Sequence, residues 1–384
     1  MPETDAARLP RMFRHFADRE FRGSSPRYDR LARLLADRPE LAVPLLAAPR
    51  TQQRAILYFA AVQYLLRTTA VDHPLAAYLP VLGGDRGLDD GFEGAFEDLV
   101  TAYAGALERL CATRHTQTNE ARRAALLRPG FGRASGLLDD RPLSLVELGT
   151  SAGLLLLPDR YGYRYATPDG TRVLETGRAD APTALVMRAE VRGTGWPSPA
   201  GHEFIVARRV GIDTSPSSED VDWLRSCIWP EHTERLVRLD AALAEAAVVQ
   251  PELVAGDMVE SLPAVLSTMD DEAVPCVFAS NAINYLTRDG TARLVEVLAS
   301  WGARRDLVVV LNEASRFGAE LFLPEPPVEA GPPGVLVVGL LTLVAWREGR
   351  ATVEVLARTG PHGEWLEWLP HEYRYAPSHS RSTG

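Results

Sequence analysis

The stretch VELGTSAGLLLLPDRYGYRY, residues 146–165, carries two overlapping spacings that imply different chemistry. Gly149-Thr150-Ser151-Ala152-Gly153 fits G-x-S-x-G, the strand-to-helix turn that raises a serine nucleophile above a sheet. Glu147-x-Gly149-x-x-x-Gly153 fits instead the first loop of a nucleotide-binding α/β domain, where glycines let the backbone approach the ligand. A serine nucleophile needs an acid and then a histidine downstream. Ser151, Asp257 or Glu313, and His362 supply that order, although no oxyanion-hole loop of the H-G-G-G type precedes the serine. The nucleotide loop needs an acid ending the next strand to accept both ribose hydroxyls. Asp213 in VGIDTSP meets that need, displaced beyond the usual ~20 residues by an intervening insertion.

Further polar residues fall in the order a nucleotide-dependent methyl transfer would use. Asp257 in VAGDMVESLP is placed to accept from an adenine amino group, with Met258 beside the ring. Asn281, Asn284 and Tyr285 in SNAINYL would face the transferred methyl. In RHTQTNE, Gln117, Asn119 and Glu120 would reach over the carboxyl edge of the sheet to close a pocket, and the same residues also suit a solvated turn. Glu313, Glu120 and His115 are the candidate bases, and Asn281 or Tyr285 would orient the acceptor. Transfer from S-adenosylmethionine to a small molecule is an in-line displacement that mainly requires two positioned reactants, so no conspicuous catalytic residue is needed. Each carboxylate has a plainer use as a helix cap.

The elements that would position these residues divide the chain in two. Residues 1–140 read as helical: TQQRAILYFAAVQYLLRT and FEGAFEDLVTAYAGALERLC repeat apolar residues at helical spacing. Residues 141–384 read as α/β. Strand-like runs at LSLVELG, FIVARRVGID, PELVAGD, PCVFASN and DLVVVLNE alternate with helical segments at 219–246 and 287–302, the pattern of a parallel sheet covered on both faces. GVLVVGLLTLVAW and ATVEVLAR, joined at REGR, predict a terminal antiparallel hairpin. The expected fold is thus a Rossmann-like, methyltransferase-type sheet behind a helical region. A small antiparallel insertion is expected at about 158–203, turning at Pro168-Asp169-Gly170, and the proline-rich segment 321–334 is either a lid or a linker.

Composition narrows the chemistry. A formal net charge of −10 argues against nucleic acid or anionic membrane as partner. All 41 basic residues are arginine, which excludes a pyridoxal Schiff base, a Walker A loop and any lysine nucleophile. Three dispersed cysteines give neither a disulfide framework nor a metal motif, and HEYRY lacks the second histidine of H-E-x-x-H, so no metal is expected. Without an N-terminal leader pattern or a membrane-length apolar run, the expected location is the cytoplasm. The expected partner is a small-molecule substrate, with a homodimer open to it.

Taken together, VELGTSAGLLLLPDRYGYRY, RHTQTNEARRAALL, RRVGIDTSP, WLRSCIWPEHTERLVRL and VVLNEAS resemble domain of unknown function 2332, an actinobacterial family. The resemblance implies a methyltransferase-like fold behind a helical region and carries no reaction with it. The chain departs from the family pattern where Leu155 replaces a usual asparagine and Ala279 a usual histidine, and Asn281 and Asn284 stand where apolar or small residues are usual. Two other expectations follow from the same residues: a serine hydrolase acting through Ser151, or a non-catalytic scaffold whose pocket is filled by Leu155 and its neighbours.

Overall fold

The computed structural model describes residues 5–178, 185–216, 220–323, 339–369 and 374–375. Its compact units follow a different partition from 1–140 and 141–384. One comprises Met1–Asn119 with Glu219–Asp240, the other Glu120–Ser218 with Ala241–Gly384.

The first unit is helical because its apolar residues repeat at three and four and its starts are capped. Ser25 accepts from the Tyr28 amide at the head of the helix Pro26–Asp37, with Pro26 at the position where a missing amide costs nothing. The helices Asp5–Phe16, Ala55–Thr68, Gly91–Ala102 and Ala104–Thr113 close around Phe13, Phe21, Tyr28, Phe59 and Phe96, with Tyr28 stacked on Phe59 at 4.4 Å. Segment 219–240 enters this core through specific partners. Trp223 donates from Nε1 to the His115 carbonyl at 2.9 Å, and Gln63 donates to the Ile228 carbonyl at 2.7 Å. The single helix expected over 219–246 is two, Val221–Ser226 and Thr233–Val249, separated by a break that contains Pro230.

The second unit is built on one mixed sheet. Its strands are β1 (Leu143–Leu148), β2 (Gly162–Ala166), β3 (Val173–Gly177), β4 (Val186–Arg192), β5 (Val206–Asp213), β6 (Glu252–Ala255), β7 (Val274–Ser280), β8 (Leu307–Ala314), β9 (Gly339–Arg347), β10 (Arg350–Thr359), β11 (Trp365–Trp368) and β12 (Arg374–Tyr375). Their order is β3-β2-β4-β11-β10-β9-β8-β7-β1-β5-β6, with β12 also on β10. The block β6-β5-β1-β7-β8 is wholly parallel, and β9 and β10 follow as an antiparallel pair. Every residue of β1 is buried, as a parallel strand covered on both faces requires.

Alternation sorts the side chains. Val146, Leu148, Ile212, Val277 and Leu311 meet Leu262, Leu266, Leu294 and Leu298 of the helices Met258–Ser267 and Arg288–Gly302. On the opposite face the helix Ala124–Leu137 brings Phe131 edge-on to Phe278 at 5.2 Å.

Two expectations are corrected. Segment 158–203 is not a small antiparallel insertion: β2 and β3 pair antiparallel around the Pro168-Asp169-Gly170 turn, but β4 runs parallel to β2 and joins the main sheet through β11. The hairpin β9–β10 does not end the sheet, because β11 and β12 both add to β10. Of the proline-rich segment, 324–334 lies outside the described residues. No helix among the described residues is long and apolar enough to cross a membrane.

Candidate functional site

Within the parallel block β5 and β6 lie on one side of β1 and the later strands β7 and β8 on the other, so the crevice above the carboxyl ends of β1 and β7 is where the strand order reverses, a topological switch point. Ligands of open α/β sheets bind at such points. Gly149 follows β1 with φ +73°, and a Cβ there would stand 2.5 Å from that of Ala282 in the loop after β7. Only glycine lets the two loops meet. Gly153 also has positive φ, and a Cβ there would press on Pro251 and Leu253. Between them Ser151 adopts φ +52°, rare for a serine.

Asp213 accounts for that conformation. At the end of β5 its Oδ2 accepts from the Ser151 amide and its Oδ1 from the Ser215 amide, each at 2.9 Å. The carboxylate thus ties the first loop to the second strand and still has lone pairs for a ligand. Glu147 lies one layer below, 3% exposed, accepting from the Thr150 hydroxyl at 2.6 Å. Gly211, its register partner on β5, makes room: a Cβ there would fall on the Thr150 side chain. Burial pushes the Glu147 carboxyl up to about 8, against the Thr150 hydrogen bond and aided by the negative charge of Asp213.

Asp257 caps the helix Met258–Ser267, its Oδ1 accepting from the amides of Val259 (2.8 Å) and Glu260 (3.1 Å). Met258 approaches Gly149, its Cε 3.9 Å from where a Cβ would be. Asn281 leaves β7 with φ +56°, its amide donating to the Asn312 carbonyl at 3.1 Å. Tyr285 is 68% exposed on the 3-10 turn Ile283–Tyr285. Glu313, near the end of β8, is wholly buried, and burial raises its carboxyl to about 7 while amides from the turn after β7 and the Arg123 guanidinium pull it down. Glu120 caps and Arg123 ends the turn Ala121–Arg123, which packs against the turn Leu154–Leu156 after the glycine loop. Both are buried, with Arg123 Nε donating to the Pro361 carbonyl at 3.0 Å.

A profile of domain of unknown function 2332, described as an uncharacterized protein conserved in bacteria, matches residues 10–368. The chain belongs to this family. A search of the curated proteins finds no match.

In this member of the family, the sheet unit gathers Glu147, Gly149, Ser151, Gly153, Asp213, Asp257, Met258, Asn281, Tyr285 and Glu313 along the carboxyl edges of β1, β5, β6, β7 and β8. His115, Gln117 and Asn119 belong to the helical unit, where Gln117 Oε1 faces Asn119 Nδ2 at 3.4 Å. Leu155, in the turn after the glycine loop, and Ala279, within β7, are both buried. Among the described residues no group of three or more His, Cys, Asp or Glu is arranged to hold a metal ion.

The serine reading requires a histidine at hydrogen-bond distance from Ser151. His202 sits on Asp140 at 2.7 Å, before β1 and so at the amino edge. His362 follows β10, its carbonyl accepting from Arg122 Nε at 3.1 Å. His371 lies outside the described residues. Sequence reasoning missed Thr150, Gly211, Ala282 and Arg123. Thr150 and Gly211 had a signal, a hydroxyl three residues after Glu147 and a glycine inside an otherwise apolar strand; Ala282 and Arg123 had none.

Proposed function

We infer that the carboxyl edge of the sheet unit binds S-adenosylmethionine and transfers its methyl group to a small-molecule acceptor. One observation carries the reading: the Gly149–Gly153 loop lies at the switch point with its Ser151 amide tied to Asp213 of the neighbouring strand. The residues fit the donor. Gly149, Ser151, Asp213, Asp257, Met258 and Asn281 are each at least partly exposed, so a ligand above the strands can reach them. Asp213 keeps acceptor capacity on both oxygens for ribose hydroxyls, and Asp257 uses only Oδ1 as a cap, leaving Oδ2 for an amino group.

The bound donor supplies an activated methyl group on a sulfonium. The chain supplies position: the glycine loop admits the ligand, Asp213 and Asp257 orient its two ends, and Met258 offers an apolar surface beside Gly149. Asn281 and Tyr285 would face the acceptor, and Glu313 holds their turn by accepting from the Ala282 amide.

Calorimetry with S-adenosylmethionine and with its demethylated product tests the reading. Saturable binding of either is expected, weakened on the order of tenfold or more in Asp213→Ala, because hydrogen bonds to a charged group are lost. Absence of binding by both overturns the reading and leaves the serine hydrolase and the non-catalytic scaffold as the alternatives.

A further inference from the structure

Glu313 is wholly buried, and its two carboxylate oxygens are treated differently. Oε1 accepts from the amides of Ala282 at 2.7 Å and Ile283 at 3.2 Å. Oε2 is buried with no hydrogen-bond partner among the described residues. Ser315 Oγ, two residues on, and Thr342 Oγ1, diagonal to Glu313 across the β8–β9 pair, are buried without partners as well. The turn gripped by Oε1 begins at Asn281 in left-handed backbone and carries Ala282 against Gly149. One side chain on β8 therefore fixes how the loops of β7 and β1 meet.

We propose that Glu313 is the positioning residue of the turn Asn281–Tyr285, and that loss of its proton releases this turn from the Gly149 loop. The inference does not rest on the identity of the ligand. Its direction follows from what surrounds the carboxyl. The groups facing it are the turn amides from the β7 side, Arg123 from the segment before the helix Ala124–Leu137, Ser315 and Gly318 after β8, and Leu340 and Thr342 on β9.

Burial of the carboxyl, one oxygen of it without a partner among the described residues, outweighs the turn amides and the Arg123 guanidinium that favour the ionised form, and raises it to about 7. Swinging the turn outward would admit water to Oε2 and return the group to ordinary acidity. The closed turn thus holds the proton more tightly than the open one. By linkage, closure is favoured below the raised value and opening above it.

Amide exchange by mass spectrometry on the full chain tests this, with rates corrected for the intrinsic pH dependence of exchange. A peptide covering Asn281–Leu286 should lose on the order of tenfold in protection between about pH 6 and pH 8.5, while peptides from β7 and β9, which carry no carboxylate, do not. Glu313→Gln, which cannot ionise, should abolish the dependence. The proposal is overturned if the wild-type peptide shows constant protection, if Glu313→Gln loses protection equally, or if β7 and β9 loosen in parallel. Should Glu313→Gln fail to fold, the same series in Glu147→Gln, where the other raised carboxyl of the site is gone, decides.

Discussion

A single added methyl group would reveal how tightly the switch point is closed. In Gly149→Ala the new carbon would stand 2.5 Å from Ala282 Cβ on a backbone at φ +73°, so overpacking and conformational cost add. A loss of about 2–4 kcal/mol in urea unfolding is expected. Glu147 makes a prediction in pH. Its carboxyl is raised from 4.5 to about 8, so the unfolded chain gives up the proton first as pH rises. The stability it contributes is complete below about 4.5 and lost on the way to about 8. Glu313, raised to about 7, titrates across much of the same range and adds its own slope, so Glu147→Gln should shrink the pH dependence of unfolding midpoints between about 4.5 and 8, and adding Glu313→Gln should shrink it further. At this scale the strand-end carboxylates were legible, because Glu147, Asp213 and Glu313 all end apolar runs. Their partners were not, since no spacing rule says that Thr150 turns back or that Ala282 reaches across.

Asp257 shows how one element can serve two purposes. As a cap it holds the head of the helix Met258–Ser267, and asparagine caps as well as aspartate. Asp257→Asn should therefore fold with unchanged stability, whereas Asp257→Ala should lose ~1 kcal/mol. If the free oxygen also accepts from the donor's amino group, Asp257→Asn should still weaken its binding in calorimetry, which separates the two roles. The helix itself escaped the sequence because Pro263 interrupts its pattern. The β2–β3 turn was plain from Pro168-Asp169-Gly170, whose chemistry is local. The strand β11 was not, for WLEW is four residues long and becomes a strand only because β4 and β10 lie on either side.

Across the whole chain, the alternation of strands and helices was enough to give a mostly parallel α/β sheet and a separate helical unit. It did not show that residues 219–240 return to the helical unit, since periodicity marks an apolar face without naming its partner. Here Gln63 and Trp223 do the naming through buried hydrogen bonds. The sheet depends similarly on its last segments. Truncation after Gly360 removes β11, leaving β4 and β10 with unpaired edges, and should give aggregated protein in size-exclusion chromatography with light scattering.

That bridging strand also bears on how the protein is made. β2, β3 and β4 leave the ribosome before β5 to β10, whereas the strand that links them to the main sheet leaves after all of these. Throughout the synthesis of the intervening strands, β4 offers an open edge to any neighbouring chain, and the slow step of folding should be this late, distant closure. Production of this protein should therefore depend less on the stability of its finished sheet than on what shields β4 during translation.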